Sequence, residues 1–246
     1  MPADPVPAIV PLRCGTIRAR SNLFETGAKG ESALPVYAFL ITHPTRPPVL
    51  FDTGLHPDLD QKLWLDLFAN TVPAGQDVAA RLEQLQIGPT SLGGVILSHA
   101  HYDHAGGLPL IGDVPVYAHR NEDLSAVDGA RDIRRTGDSF DVFGDGSVEV
   151  FATPGHTAGH QSLRVRRFGG GHDVLTADAC YFCRSLTRRD ADQPHAFDKE
   201  AFITTKRRLA DMQAAGDFVI PGHDEAFLAQ IPEGSAVRIG AAGREG

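Results

Sequence analysis

The sequence predicts an α/β fold in which a single unit contains two layers of β-sheet. Its 246 residues are 42% hydrophobic and 22% charged, the composition of an ordinary globular chain that can bury a core. Short apolar runs of strand length alternate with segments of helical periodicity. The mixture of hairpins and helical crossovers argues against a purely parallel, doubly wound sheet.

The first predicted elements are two strands that form a hairpin. The apolar runs VYAFLITH (36–43) and PPVLFDTG (47–54) have the length of strands. Only the residues PTR (44–46) separate them, and this is the length of a hairpin connection. We therefore expect these two strands to be neighbours in one sheet.

Three helices are predicted from apolar periodicity. Over 58–70, leucine and phenylalanine recur near helical spacing, and over 76–87 apolar residues recur at i, i+4 and i+7, which is typical of an amphipathic helix. The longest candidate is 198–216, where Gly216 provides a stop signal.

Six further strands are predicted from apolar runs bounded by turn residues. They cover residues 93–101, 114–120, 147–156, 160–168, 173–179 and 217–224. In two of them valine and leucine alternate with polar residues, as in half-buried strands. The glycines of FGGGHD (168–173) predict a tight turn between neighbouring strands.

The net charge of −8 argues against a nucleic-acid partner, because such a surface repels phosphate backbones. The N-terminal stretch lacks the basic region and apolar run of a signal peptide, and no stretch approaches the length of a membrane span. Three cysteines do not make a disulfide framework, so we expect a cytoplasmic location. We expect one domain, 1–246, with flexible residues at 1–8 and 235–246.

The stretch LSHAHYDHAGG (97–107) concentrates three of the 11 histidines. His99 and His101 are two residues apart, so they would point to the same side of an extended backbone. Asp103 and His104 follow after a turn. Imidazole nitrogen and carboxylate oxygen are ligands of divalent metals, and four ligands packed this closely suit two ions about 3.5–4 Å apart better than one.

A dinuclear site requires further ligands, and three residues downstream fit this need. His156, Asp178 and His223 each stand where a predicted strand runs into a loop. Proline and glycine precede both histidines and mark turns at which a side chain can be aimed. The sequence therefore predicts a site for two metal ions.

The order of these motifs resembles the metallo-β-lactamase superfamily. The matching stretches are SHAHYDHAGG, TPGHTAGH, LTAD and IPGH, and FDTG (51–54) resembles the early Asp-Thr-Gly turn of that superfamily. The resemblance covers about residues 35–224. It implies an αββα sandwich, in which two mostly antiparallel sheets lie face to face with helices outside and metals at one edge, but it says much less about substrate.

The resemblance also implies two groups of ligands and one bridging carboxylate. The first group is His99, His101 and His156, the second is Asp103, His104 and His223, and the bridge is Asp178. Asp52 would hold the ligand loop in place. Nitrogen and oxygen ligands without thiolate fit zinc, while iron, cobalt and manganese remain open.

Tyr181 narrows the resemblance to the N-acyl-homoserine lactonases, the quorum-quenching lactonases of this superfamily. DACY (178–181) resembles their Asp-x-x-Tyr, whose hydroxyl hydrogen-bonds the substrate carbonyl. The stretches LPVYAFLI, TPGHTAGHQSL and HAFDKEAFITTKRRL also resemble these enzymes. The segment between His104 and His156 is shorter than theirs, which leaves the acyl-chain preference and homoserine lactone itself open.

The implied reaction is the opening of a lactone ring in a small-molecule lactone or ester. A hydroxide that bridges the two metals would attack the carbonyl. The metal held by the first ligand group, together with Tyr181, would stabilise the oxyanion. Asp103, as a proton carrier, would return a proton to the leaving alkoxide.

Four other functions compete with this interpretation. A glyoxalase II-like thioesterase would share the ligands, but the chain ends soon after His223. A β-lactamase is disfavoured by Asp103 and the absent signal peptide, and a nuclease by the net charge. A non-catalytic scaffold is disfavoured because all seven ligands are present. The oligomeric state is open, and a homodimer is allowed.

Two stretches and three residues receive secondary interpretations. Residues 25–35 and the Trp64–Phe68 segment could wall a substrate cleft, although ordinary loop and core roles are simpler. Cys180 and Cys183 form a C-x-x-C pair. We favour Cys180 as a small buried neighbour of the site over a redox or zinc role. His195 is expected to have no catalytic role.

Overall fold

Two β-sheets form the centre of the structure. The structure is a computed structural model, and it describes residues 6–59, 67–188, 190, 192–232 and 234. The larger sheet contains β1 (Ala8–Arg20), β2 (Glu31–Thr42), β3 (Val49–Phe51), β4 (Phe68–Thr71), β5 (Gly94–Ile96), β6 (Val116–His119) and β7 (Ile133–Thr136). The smaller sheet contains β8 (Ser139–Asp141), β9 (Val148–Ala152), β10 (Gln161–Arg166), β11 (His172–Leu175) and β12 (Phe218–Ile220). The α-helices are α1 (Val78–Gln84), α2 (Tyr102–Ala105), α3 (Lys199–Ala214) and α4 (Glu225–Leu228).

The larger sheet is mixed and the smaller one is mainly antiparallel. The larger sheet has the order β4-β1-β2-β3-β5-β6-β7, with antiparallel pairing up to β3 and parallel pairing from β3 to β7. The smaller sheet has the order β12-β11-β10-β9-β8, and only its β11–β12 pair is parallel. The predicted hairpin is confirmed, because β2 and β3 pair with Leu40 opposite Leu50.

The main core lies between the two sheets. Tyr37, Phe39 and Ile41 of β2 belong to one buried cluster with Val150 and Leu163 of the smaller sheet. This arrangement explains why the inner faces of strands on both sheets carry large apolar residues.

The outer faces of the sheets are covered by helices. Ala38 and Leu40, on the other side of β2, pack in a second cluster with Val78 and Leu82 of α1. On the smaller sheet, Leu209 of α3 packs in a cluster with buried residues of that sheet. Helix, sheet, sheet and helix therefore follow one another, which confirms the αββα sandwich. In the described part of the chain, no helix combines the length and the apolar character needed to cross a membrane.

Two of the three predicted helices are confirmed. Asp77 caps α1 by accepting a hydrogen bond from the backbone N–H of Ala80 at 3.0 Å. Asp198 caps α3 by accepting from the backbone N–H groups of Glu200 and Ala201, each at 3.0 Å.

The prediction of a helix over 58–70 is wrong where the structure describes these residues. Phe68–Thr71 is strand β4, which pairs antiparallel with Thr16–Ala19 of β1, and residues 60–66 lie outside the described residues. The ring of Phe68 packs 5.9 Å from that of Phe24. Pairing with β1 outweighs the local helical spacing, as tertiary contacts often do.

The longest strand, β1, was not predicted. A register shift between Arg13 and Thr16 interrupts its pairing with β2. At Gly15, between them, φ is +133°, and an added Cβ would lie 2.7 Å from Leu55 Cδ1. Of the predicted flexible ends, 1–8 and 235–246, only residues 6–8 belong to the described part of the chain. Ala8 is already the first residue of β1.

The strand directions bring the predicted motifs to one end of the sandwich. In the larger sheet β3, β5 and β6 are parallel, so their carboxyl ends share an edge. In the smaller sheet β9, β11 and β12 run in one direction, so their carboxyl ends also share an edge. The backbone N–H of Gln161 donates to the carbonyl of Ser98 at 2.9 Å and joins the two edges.

Candidate metal centre

The carboxylate of Asp178 lies at the centre of a histidine cluster. Its Oδ2 is 3.0 Å from Nε2 of His156 and 3.5 Å from Nε2 of His99. Its Oδ1 is 2.9 Å from Nε2 of His223 and 3.0 Å from Nε2 of His104. Each carboxylate oxygen therefore faces a different pair of imidazoles.

The seven side chains predicted as ligands come together in two groups. Within each group, one possible ligand atom per residue lies within 4.8 Å of all the others, close enough to hold one ion. One group is His99, His101, His156 and Asp178, and the other is Asp103, His104 and His223. His101 is exposed and the remaining six are buried.

Asp52 holds the loop 99–104, which carries the four cluster residues that come first in the chain. It directly follows β3, and its Oδ2 lies 2.8 Å from Nδ1 of His104. Its Oδ1 accepts from the backbone N–H of Ser98 at 2.7 Å, and the hydroxyl of Ser98 lies 3.0 Å from Nδ1 of His99. The position of Asp52 is thus the one that the sequence analysis gave it.

Two further histidines are held through their Nδ1 atoms. Nδ1 of His223 donates to the carbonyl of Pro35 at 2.9 Å. Nδ1 of His156 lies 2.7 Å from Oε1 of Gln193, whose amide nitrogen donates to the carbonyl of Asp178 at 2.6 Å. Since Nδ1 carries the proton in each case, Nε2 presents a lone pair to the cluster.

The residues fit a pair of divalent cations. Nε2 of His104, His156 and His223 each lies 2.9–3.0 Å from an oxygen of Asp178, and a cation at this place would give the nitrogen and the oxygen a common partner. Nε2 of His99 and Nε2 of His104 are buried and make no hydrogen bond within the described part of the chain. Nitrogen and oxygen donors of this kind are those that zinc and similar metals prefer.

The electrostatics of the two groups differ. Burial holds the pKa of His99 well below its usual value. Although part of His101 is exposed, desolvation of its imidazole, followed by the charge of His156, lowers its pKa to about 4, so both rings stay neutral. Burial also acts to lower the pKa of His104 and His223, but the negative charges of Asp178 and Asp103 outweigh it and raise both. The electrostatic potential is therefore more negative at the second group than at the first.

Tyr181 lies beside the cluster. Its ring centroid is 5.2 Å from that of His223 and 5.9 Å from that of His156. Burial, followed by the charges of Asp178 and Asp103, raises the pKa of its hydroxyl well above the usual range. Tyr181 therefore remains a neutral phenol that can donate a hydrogen bond.

A cavity of about 310 Å³ opens onto the cluster. We call its polar side the floor, which consists of His101, Asp103, His156, Asp178, Tyr181 and His223. We call its apolar side the wall, which consists of Ile17, Leu23, Phe24, Leu34, Leu67 and Phe68. The two stretches expected to wall a cleft thus contribute residues to it, while Trp64 lies outside the described residues.

Several residues near the site differ from the expectations or were missed. Gln193 was missed because it lies in a stretch of the sequence without a recognisable pattern. His195 lines the cavity, although no role was expected for it. Cys180 is buried, as expected, and Cys183 is exposed. Neither cysteine belongs to the two ligand groups found among the described residues.

The fold and the cluster define a family. Residues 32–223 match the model of the metallo-beta-lactamase superfamily, and the chain belongs to this superfamily. It is, as a class, a metal-dependent hydrolase.

Curated proteins of similar sequence include lactonases. The chain is 28% identical over 239 residues to the N-acyl homoserine lactonase AttM of Azorhizobium caulinodans, and the match covers 87% of this chain and 89% of the relative. It is 30% identical over 213 residues to an N-acyl homoserine lactonase of a Bacillus species, with 78% and 82% of the two chains covered.

Solved structures show the same fold. A variant of AiiA from B. thuringiensis with N-decanoyl-L-homoserine bound at its active site has a TM-score of 0.82 at 20% identity, and the match covers 94% of this chain and 99% of that one. AidC, a dizinc quorum-quenching lactonase, has a TM-score of 0.68 at 12% identity over 88% and 87% of the two chains.

Proposed function

We propose that the protein is a dinuclear-metal hydrolase that opens the lactone ring of N-acyl homoserine lactones. The position of Asp178 carries this proposal, because its two oxygens divide four histidines into two pairs at the floor of a cavity. The curated relatives named as N-acyl homoserine lactonases support the choice of substrate.

The seven clustered side chains are the proposed metal ligands. His99, His101 and His156 would hold one ion, Asp103, His104 and His223 would hold the other, and Asp178 would be shared between them. Zinc is the proposed metal because imidazole nitrogen and carboxylate oxygen are the donors present. When bound, two such ions supply a water of near-neutral pKa as nucleophile and polarise the substrate carbonyl.

Tyr181 and Asp103 are the proposed catalytic residues. The neutral phenol of Tyr181 belongs to the floor and donates a hydrogen bond to the carbonyl oxygen of the lactone, where negative charge develops. Asp103 also belongs to the floor, and its carboxylate takes up the proton that the attacking water loses and passes it to the ring oxygen as that oxygen leaves.

The wall is the proposed site of the acyl chain. All six of its side chains are apolar, and burial of an alkyl chain against them gains about 0.8 kcal/mol per CH₂ group. Leu67 is 52% exposed, so the apolar surface continues to the mouth of the cavity. Chains longer than the wall would extend past Leu67 into solvent.

A glyoxalase II-like thioesterase is the alternative, and the cavity argues against it. Glutathione carries two carboxylates, which require cationic partners. None of the described residues that line the cavity is lysine or arginine. The apolar wall and the missing cations together favour a lactone with an alkyl chain.

A substrate panel tests the proposal. Zinc-loaded protein is assayed with N-hexanoyl and N-decanoyl homoserine lactones, an aryl ester, a glutathione thioester and a chromogenic cephalosporin, and metal content is measured in parallel. We expect the highest kcat/KM with an acyl homoserine lactone and two ions per chain. A higher kcat/KM with the thioester would contradict the substrate, and a chain that binds no metal would contradict the mechanism.

Three properties of the whole chain stay predictions. We propose that residues 1–246 form one domain, which limited proteolysis would test. A homodimer would be seen by light scattering of the purified protein. A cytoplasmic location would be seen by fractionation of the cells that produce it.

A further inference from the structure

Glu122 lies beside the metal-ligand loops without belonging to either ligand group. Strand β6 ends at His119, and the backbone N–H of Glu122 turns back to the carbonyl of His119 at 3.0 Å. Since β6 is parallel to β5, this turn lies at the same sheet edge as the loop that carries His99 and His101. Only 6% of Glu122 is exposed, so its carboxylate needs partners within the protein.

The carboxylate of Glu122 joins two loops that are distant in the sequence. Its Oε1 accepts from the backbone N–H of Ala100 at 2.8 Å, and Ala100 lies between His99 and His101. Its Oε2 accepts from the hydroxyl of Thr157 at 2.7 Å and from the backbone N–H of Gly159 at 3.0 Å. The loop of Thr157 and Gly159 begins with His156, so one side chain connects all three histidines of the first group.

The surroundings leave Glu122 little freedom. Arg135 donates through Nη1 to the backbone carbonyl of Glu122 at 2.7 Å and to that of His119 at 3.1 Å. At Gly159 an added Cβ would lie 2.3 Å from the backbone nitrogen of Glu122, so the two segments are in direct contact. Backbone and carboxylate of Glu122 are therefore both held in place.

We infer that Glu122 is a positioning residue for the three-histidine half of the metal centre. It holds the backbone beside His99, His101 and His156, much as Asp52 holds the backbone N–H of Ser98 beside His99. This inference rests on the proposed metal centre. Removal of such an outer partner commonly weakens metal binding by about 10–100-fold.

The role of Glu122 depends on having two acceptor oxygens and not on the size of the side chain. All three partners of Glu122 are donors, and a carboxylate accepts from all of them. The amide introduced by Glu122→Gln would place an N–H₂ group against a donor of one loop or the other. One of the two loops would then lose its anchor while the side-chain volume stays nearly unchanged.

Cobalt titration of the metal-free, full-length protein tests the inference. Wild type, Glu122→Gln and the control Glu83→Gln, an exposed position on α1, are titrated with Co²⁺ and followed by visible absorption. We expect one of the two ions to bind about 10–100-fold more weakly in Glu122→Gln, with the other within about twofold of wild type. Glu83→Gln should match wild type at both steps.

Thermal unfolding of the metal-free proteins separates positioning from a general structural role. Unchanged affinity for both ions in Glu122→Gln would overturn the inference, as would equal weakening of both ions with a large loss of melting temperature. If Glu122→Gln does not fold, Thr157→Ala removes one of the three donors and should weaken the same single ion to a smaller degree. Wild type that binds no cobalt would instead contradict the proposed function itself.

Discussion

The floor and the wall of the cavity are built in opposite ways. Floor residues are polar, converge from the carboxyl ends of strands in both sheets, and are held by directed hydrogen bonds such as that of His223 to Pro35. Wall residues are apolar and come from β1, the segment after it, β2, β4 and the residue before β4. They are held by packing such as that of Phe24 on Phe68. In the proposed function, reaction and substrate choice would therefore lie on different parts of the molecule and could change separately.

This difference also sets how each part responds to mutation. A floor residue sits among buried charges, so loss of one partner leaves others without compensation. A wall residue loses only contact area, and the cost is graded. Substitutions should thus affect the floor through kcat and metal content, and the wall through KM.

Asp178→Asn should have the largest effect. The substitution removes the charge that faces four histidines, so metal binding and activity should both collapse. We expect kcat/KM to fall on the order of a thousandfold or more, since metal polarisation contributes several kcal/mol. Metal analysis and lactone hydrolysis measure the outcome, with Asp211→Asn on the exposed side of α3 as control. Full activity with a normal metal content in Asp178→Asn would contradict the expectation that floor substitutions act through kcat and metal content.

Tyr181→Phe should have the next largest effect. The ring keeps its packing on His223, but the proposed donor to the substrate carbonyl is lost. Loss of a single oxyanion donor costs on the order of 100-fold in kcat. Metal content should stay at the wild-type value, which tells Tyr181 apart from the ligands. An unchanged kcat would remove Tyr181 from the catalytic residues.

Leu67→Ser should alter the wall alone. With 52% of Leu67 exposed, we expect KM for a decanoyl lactone to rise roughly fivefold, because the lost contact is worth about 1 kcal/mol. kcat should be unchanged, and KM for a butanoyl lactone should hardly move. Phe168→Ser provides the matched control, since Phe168 is 65% exposed in the β10–β11 turn and does not line the cavity. A larger change in kcat than in KM would show that floor and wall are coupled.

Glu25→Gln should have the smallest effect. Glu25 follows the wall residue Phe24 and pairs with Arg184 and Arg188, and the hydrogen bond from Arg184 contributes most to a lowered pKa of Glu25. A carboxyl whose pKa is lowered on folding stabilises the protein above its unfolded pKa, and this is lost as pH falls through the lowered value. We expect Glu25→Gln to lower the free energy of unfolding by less than about 1 kcal/mol at pH 7, measured by urea unfolding. In acid the variant and wild type should be equally stable.

The matched control for Glu25→Gln is Glu31→Gln, an exposed position at the start of β2. The same unfolding curve for Glu25→Gln and Glu31→Gln at pH 7 would show that the ion pairs contribute nothing. A change in kcat with Glu25→Gln would show that the ion pairs of Glu25 with Arg184 and Arg188 affect the chemistry.

The seven-residue cluster of histidines and aspartates could be predicted from the sequence because its residues come in short motifs. Local spacing fixes His99, His101, Asp103 and His104, and the other proposed ligands stand at strand ends that are visible as apolar runs. Such signals need no knowledge of distant contacts. The resemblance to a known superfamily then supplied the grouping, which the spacing alone left open.

The wall and the supporting residues could not be predicted in the same way. Pro11, Arg13 and Gly15 interrupt the alternation that would have revealed β1, and the spacing before Phe68 favours a helix over the strand that forms. Glu122 and Gln193 are single residues without a local pattern. Their positions follow only from strand order, which brings the end of β6 and the segment before α3 to the site.

Four of the proposed ligands follow β5 in the larger sheet, and three follow strands of the smaller sheet. Bound ions would therefore connect the two layers of the sandwich across their shared end. Separation of the layers would require release of the ions, so unfolding should become slower as free metal rises. The lifetime of the folded chain would then depend on metal supply, independently of any substrate.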